Sequence, residues 1–409
     1  MTKTTIDRLG PLADHRPRLQ ASLPALTGTS LLACAVMLAV IPASAQYRQV
    51  NLVSDKAGLA LHTDGNLLDP WGMAALPGGG YVVADALSGF VTFYSSNGRT
   101  LRPPVAVPPA PGLPAGSPGS PAGLVANPTS EFVISKNGKS APALYLFSTL
   151  DGLICGWNPA VDPDNAVIIV DNSTLSPFPA SYTDLTMARN NYGQMVIFAT
   201  DSGVSATQSN NDVEIYDGSF HLLRRFTDLS VRSDLTAYSA RILNGRVYVT
   251  YAGFTPLDGG AVDVFDTEGN MLRRLATGAP GGPLEAPWEV ILAPAGFGWA
   301  SHQLLIGEVD SGEISVFNPE TGAFLGRLTD NHGKPIVIDG VWALIFDGEG
   351  DDGPPRLFFA AGCAFPPAYT PSLFGYVTVA NVSEGTQPES VRSSDAVVRP
   401  KTRIARREN

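Results

Sequence analysis

From residue 47 onward, short apolar runs alternate with turns bearing Gly, Asn and Asp. The clearest set is Pro70-Trp71-Gly72-Met73-Ala74, Tyr81-Val82-Val83-Ala84-Asp85 and Val91-Thr92-Phe93-Tyr94, divided by Gly78-Gly79-Gly80 and Ser88-Gly89. Runs of about 4–8 residues, rich in β-branched and aromatic side chains and bounded by turn formers, predict strands. Weaker copies of the set recur, opening near residues 70, 121, 182, 238, 286 and 340, so the repeat is 48 to 61 residues long. Four short strands at that period predict the blades of an all-β, six-bladed β-propeller. In the second unit the expected strands include Phe132-Val133-Ile134, Ala143 to Ser148, Leu153 to Trp157 and Val167 to Val170. The sixth unit offers Gly340 to Leu344, Arg356 to Ala360 and Gly375 to Val379, but no fourth strand. Tyr47 to Val53 alternates with period two and has no hairpin partner of its own. It is expected to complete the last blade and close the ring, which removes an exposed sheet edge.

The unit pattern resembles the NHL-type propeller repeat. Pro70-Trp71-Gly72-Met73-Ala74, Val83-Ala84-Asp85 and Val91-Thr92-Phe93 carry the likeness, whereas Pro287-Trp288-Glu289-Val290 has Glu where Gly is usual. An ordered set extends it: Asn51-Leu52-Val53-Ser54-Asp55, Asp69-Pro70-Trp71-Gly72, Asp151 to Pro159, Ala286-Pro287-Trp288, Ile338 to Leu344 and Leu357 to Gly362. Over about residues 46–380 the chain looks like a family of exported, uncharacterised propellers, some members of which carry PEP-CTERM sorting tails. The resemblance implies the fold and export. It supplies no activity, and this chain ends in a polar, Arg-bearing stretch in place of the sorting tail.

The first 45 residues read as a cleavable export signal. Lys3, Arg8, Arg16 and Arg18 precede the apolar run Leu31 to Ile41, and Ala43-Ser44-Ala45 offers a cleavage site after Ala45. The run is too short to span a bilayer, which takes about 20 residues. The expected organisation is a signal peptide at 1–45, one propeller domain at 46–384 and a polar tail at 385–409. The expected location is periplasmic or extracellular, with no transmembrane anchor left after cleavage. Residues 46–384 hold 17 Lys and Arg against 33 Asp and Glu, a net charge of −16. That balance argues against nucleic-acid binding, which needs a basic footprint. Beyond the leader only Cys155 and Cys363 remain, in units that are not neighbours, and no disulfide between them is expected.

Candidate chemistry is sparse. Trp71, Trp288 and Trp342 recur on the innermost strands. They either stack a sugar or aromatic ligand at the channel mouth or pack between blades. Asp85, Asp151, Asp201, Glu308 and Asp310 lie at turns, each near a Gly. They either converge as oxygen ligands for Ca²⁺ or hydrogen-bond the turns that carry them. The acidic loop Asp347 to Gly353 lacks the spacing of an EF-hand. Arg224-Arg225, Arg273-Arg274 and Arg327 occupy matching outer-strand positions, read as charge that guards sheet edges. His62, His221, His302 and His332 show no metal-ligand spacing, no Gly-x-Ser-x-Gly elbow is present, and Gly138-Lys139-Ser140 lacks the leading Gly of a P-loop. Two functions stay open: a monomeric binding module for a protein or glycan, without a cofactor, and a Ca²⁺-assisted hydrolase or lactonase working in the channel.

Overall fold

The computed structural model describes residues 46–203, 210–253, 259–279, 281–347, 353–363 and 370–380, with Cys363 described by its backbone. The expected signal peptide, the polar tail and most of the acidic loop after Asp347 lie outside these residues.

Each of the first five repeats folds as one antiparallel sheet of four strands. Blade 1 runs Pro70–Ala75, Tyr81–Asp85, Phe90–Tyr94 and Val105–Ala106, with the first strand innermost. Blade 2 comprises Pro121–Ala126, Tyr145–Thr149, Leu153–Trp157 and Val167–Asp171. Blades 3 and 4 begin with Tyr182–Arg189 and Leu235–Leu243 and end with Leu222–Phe226 and Met271–Gly278. Blade 5 runs from Pro287–Leu292 to Phe324–Arg327. The six innermost strands neighbour one another in sequence order, and Val341–Phe346 of blade 6 returns to Pro70–Ala75 of blade 1. The architecture is a six-bladed β-propeller.

Blade 6 closes the ring as the sequence predicts. Tyr47–Ser54 pairs antiparallel with Thr370–Val379, from Tyr47 opposite Val379 to Ser54 opposite Leu373. The Tyr47 hydroxyl reaches into blade 5 and donates to the Phe297 carbonyl at 2.9 Å. A two-residue strand, His62–Thr63, adds in parallel outside Tyr47–Ser54. The sequence pattern does not show it, because two exposed residues have no periodicity.

One expectation needs correction. Val133–Lys136 pairs with Lys139–Pro142 in a separate hairpin rather than entering the blade 2 sheet. Phe132 sets this geometry. Its backbone is left-handed, at φ 57°, and its N–H donates to the Gly218 carbonyl of blade 3 at 2.8 Å. The hairpin thus bridges two blades; Asn137-Gly138 is its turn, and Lys139 and Ser140 open its second strand.

Six apolar cores lie between successive blades. Phe93, Val105, Phe147 and Trp157 pack between blades 1 and 2, and Met73, Tyr81, Phe358 and Phe374 between blades 6 and 1. Inner strands are therefore covered on both faces, which explains near-continuous runs such as Tyr81-Val82-Val83-Ala84 in place of strict alternation. A seventh cluster belongs to no blade pair. It contains Trp71, Trp288 and Trp342.

Candidate functional site

Every inner strand breaks register at the same level. The slip falls on Trp71, Ala122, Thr183, Tyr238, Trp288 and Trp342 in blades 1 to 6. A β-bulge re-aims the side chain that it inserts, and here it repeats six times around the ring. The turn after the second strand is pinned beside it in blades 1, 2 and 5: Ala86 N–H donates to the Asp69 carbonyl, Leu150 to Ser120, and Val309 to Ala286, at 2.9 to 3.0 Å. Asp69 and Ala286, each followed by Pro-Trp, hold left-handed backbone at φ 53° and 54°.

The bulged aromatics meet one another. Trp71 stacks on Trp342, ring centroids 4.2 Å apart and planes at 13°. Trp288 presents its edge to both, at 5.1 and 4.6 Å, and Tyr238 covers Trp288 at 4.6 Å. The Trp342 indole N–H donates to the Gly362 carbonyl. All three tryptophans are buried, alongside Ala86 and Ala122. The three residues singled out from sequence are thus brought together as one axial aromatic cluster.

The residue that follows along each inner strand differs around the ring. It is Gly72, Gly123, Asp184, Ser239, Glu289 or Ala343. At Gly72 an added Cβ would sit 2.2 Å from the Ala122 carbonyl oxygen, and at Gly123 2.2 Å from the Leu185 nitrogen. Glycine at these positions lets the backbones of blades 1, 2 and 3 approach closely. On the opposite side of the ring the same level is charged. Arg241 forms a two-pronged pair with Glu289, Nη2 to Oε2 at 2.5 Å, and lies 3.7 Å from Asp184 Oδ1. Asp184 Oδ2 accepts from the Ser239 hydroxyl at 2.7 Å and the Ala240 N–H at 3.1 Å. Burial works against the Arg241 charge, but the two carboxylates outweigh it and keep the guanidinium protonated. Burial raises Glu289 to about 6 although Arg241 pulls it down. Sequence reasoning missed this triad. The available signal was Glu289 itself, an acid where the repeat carries Gly.

The acids named from sequence lie at separate points. Asp85, Asp201 and Glu308 are the last residues of the second strands of blades 1, 3 and 5. Asp85 accepts from the Thr92 hydroxyl at 2.8 Å, and Glu308 from the Glu285 N–H at 2.8 Å. Burial pushes both well above the usual carboxylate range. Asp151 holds the proline-rich loop, accepting from the Ala110 N–H at 2.7 Å and the Ser120 hydroxyl at 3.0 Å. Asp310 is exposed. Among the described residues, one group of carboxylates has oxygens within 4.8 Å of one another: Asp201 with Asp212 and Glu214, all in blade 3. Most of their oxygens already have partners. Asp201 accepts from the Ser181 and Gly203 N–H groups and from Asn210. Glu214 accepts from Tyr182, Tyr216 and Arg225. Asp212 is pushed up to about 8, by burial first and then by the charges of Glu214 and Asp201.

The outer-strand arginines do more than guard edges. Arg225 pairs with Glu214, Arg274 with Asp263 and Asp228, and Arg327 with Glu313. Arg224 reaches Asn270 of the next blade at 3.3 Å, and Arg273 reaches the Pro319 carbonyl of blade 5 at 2.7 Å. Cys155 is a free thiol buried in blade 2, and burial raises its pKa.

No protein-family model matches the chain. Uncharacterised proteins of Acanthamoeba polyphaga mimivirus are similar to it. One is 27% identical over 225 residues, which span 51% of this chain but only 39% of that relative's own length. Another is 26% identical over 360 residues, covering 83% of this chain and 90% of the relative. Among solved structures, virginiamycin B lyase from Staphylococcus aureus aligns over 82% of this chain and 99% of its own, at 12% identity and TM-score 0.46. A luciferin-regenerating enzyme aligns over 77% and 93%, at 9% identity and TM-score 0.48. At these scores the assignment of six blades rests on the sheet order itself.

Proposed function

We propose that the chain is an exported interaction module that binds a protein or glycan partner on its outer surface. The observation that carries this reading is the axial aromatic cluster. Trp71, Trp288 and Trp342 satisfy one another's rings, and Arg241 is matched by Glu289 and Asp184. Groups that would grip a ligand on the axis are engaged in holding the ring together. Surface loops and the rim remain for recognition, as suits a scaffold whose function sits in grafted sites rather than in the fold. Export is supported by the leader pattern at residues 1–45.

The test is a glycan array and a lactone panel run on the purified protein, with calcium calorimetry alongside. Binding of a glycan or protein without turnover is expected. Lactone hydrolysis that needs Ca²⁺, is abolished by EDTA and is lost in Asp201→Asn would replace this reading with the hydrolase. Mass spectrometry of the exported protein should find Gln46 at its N-terminus, and retention of residues 1–45 would refute export by cleavage.

A further inference from the structure

A cavity of about 380 Å³ opens on the rim where blades 1 and 2 meet. Ala106, on the outer strand of blade 1, forms a parallel bridge with Asn165, just ahead of the outer strand of blade 2. Phe90 and the prolines Pro108, Pro109 and Pro118 supply apolar wall, and Lys136 enters from the extra hairpin. The volume falls at the lower end of the range that small-molecule sites occupy, roughly 300–1,000 Å³. The walls are held in place without a guest. Val107 N–H donates to the Gly89 carbonyl at 2.9 Å, and Asp151 ties down the proline-rich loop through Ala110 and Ser120. Gly119 lies so close to the end of the outer strand that an added Cβ would sit 2.3 Å from the Val107 carbonyl oxygen. A preformed pocket spares a ligand the cost of ordering it.

The polar groups of the wall decide what can enter. Its prolines carry no N–H, and the N–H groups of Gly89, Val107, Ser117 and Ala166 are spent on main-chain carbonyls. The Lys136 ammonium is paired with Asp162 at 2.7 Å. An anion would therefore find few donors and, among the described lining residues, no unmatched positive charge. A cation would be set beside Lys136, a like charge. A neutral guest meets neither obstacle, and acceptors await it. Asn165 Nδ2 donates to Asp162 Oδ1 at 3.2 Å, which leaves the amide oxygen of Asn165 to accept. The hydroxyls of Ser88 and Ser117 line the same cavity. The guest that fits brings its own donors together with a flat apolar face for Phe90 and the proline rings. A pyranose ring combines the two, in its hydroxyls and its C–H face. We propose that this cavity is a sugar-binding subsite that takes one neutral hexopyranose unit. The proposal rests on the reading of the chain as a binding module and narrows its partner to a glycan.

Saturation-transfer NMR and calorimetry on the purified chain test this. The probes are methyl glucoside, mannoside and galactoside, with methyl glucuronide and methyl glucosaminide as charged controls. At least one neutral glycoside is expected to bind, and both charged sugars at least about tenfold more weakly. Ser117→Trp places an indole in the cavity from the proline-rich loop and should abolish binding while thermal unfolding is unchanged. Asn165→Ala should weaken binding about five- to tenfold, as for one lost hydrogen bond. Lys136→Gln should raise the affinity for the glucosaminide at least about fivefold and leave the neutral sugar little changed; a residue that only shaped the wall would not move that selectivity. A blank panel overturns the proposal. So does a wild-type preference for either charged sugar, or sugar binding indifferent to Ser117→Trp. Sugar binding that survives Ser117→Trp leaves the binding-module reading standing, whereas lactone turnover by the chain removes that reading and this proposal with it.

Discussion

Trp342 has one face on Trp71, its edge toward Trp288, and its indole N–H on the Gly362 carbonyl. Trp342→Ala would remove contacts to three blades and leave a cavity on the axis. We expect a loss of about 3–5 kcal/mol in urea unfolding, the range for truncating a buried Trp; a loss below about 1 kcal/mol would show that the cluster is not structural. Arg241 is argued differently, because its worth lies in what its removal strands. Arg241→Met leaves Glu289 and Asp184 buried without a countercharge, at a cost of about 3–5 kcal/mol. Arg241→Met/Glu289→Met removes both charges and should recover most of that loss. A double variant as unstable as the single one would mean that packing, not charge, explains the effect. The tryptophans were legible in the sequence because Pro-Trp recurs at a fixed place in the repeat. Arg241 was not, because it lies two residues beyond Ser239, and only the bulges bring it opposite an acid 48 residues away.

At the scale of elements, the closing strand is the part that sequence reads best. A missing fourth strand in the last repeat and a spare strand at the start admit one solution, and Tyr47–Ser54 provides it. Deleting residues 46–54 would bare the edge of Thr370–Val379 and remove Tyr47, Leu52 and Val53 from the cores flanking blade 6. We expect the thermal midpoint to fall by more than roughly 10 °C, since each kcal/mol shifts it by only about 2–4 °C in a domain above 150 residues. An unchanged midpoint would mean that blade 6 is stable with three strands. The hairpin after Phe132 was misread for a physical reason. Phe132-Val133-Ile134 has the composition of a blade strand, and its exclusion depends on a left-handed Phe132 tied to Gly218 in another blade. A contact 86 residues distant leaves no trace in local periodicity. The six bulges are equally silent in sequence, although they decide what faces the axis.

For the whole molecule, the buried acids set a pH dependence. Burial raises Asp85, Asp201, Asp212, Asp263, Glu289 and Glu308 above their ordinary values. A group whose pKa is raised on folding binds its proton more tightly in the native state, so its contribution is complete below the unfolded value, about 4. That contribution is lost as pH climbs through the folded value, about 6 for Asp263 and Glu289 and about 8 for Asp212. A second set acts oppositely. Asp234 is held low by Arg232, and Asp330 by the backbone N–H groups of Lys334 and His332. Their stabilisation is present above about pH 4 and disappears below it, but these groups sit near solvent and weigh little. The buried set therefore wins, and stability should be greatest near pH 4 and decline steadily toward pH 8. Urea unfolding at pH 5, 6.5 and 8 checks this, and a flat or rising profile contradicts it. Asp212→Asn keeps the shape of the side chain and removes its charge, so it should make the upper part of the curve, between about pH 6 and 8, shallower and leave the rest of the decline to the other buried acids. If the decline survives unchanged in that variant, the charge crowding in blade 3 is not its source.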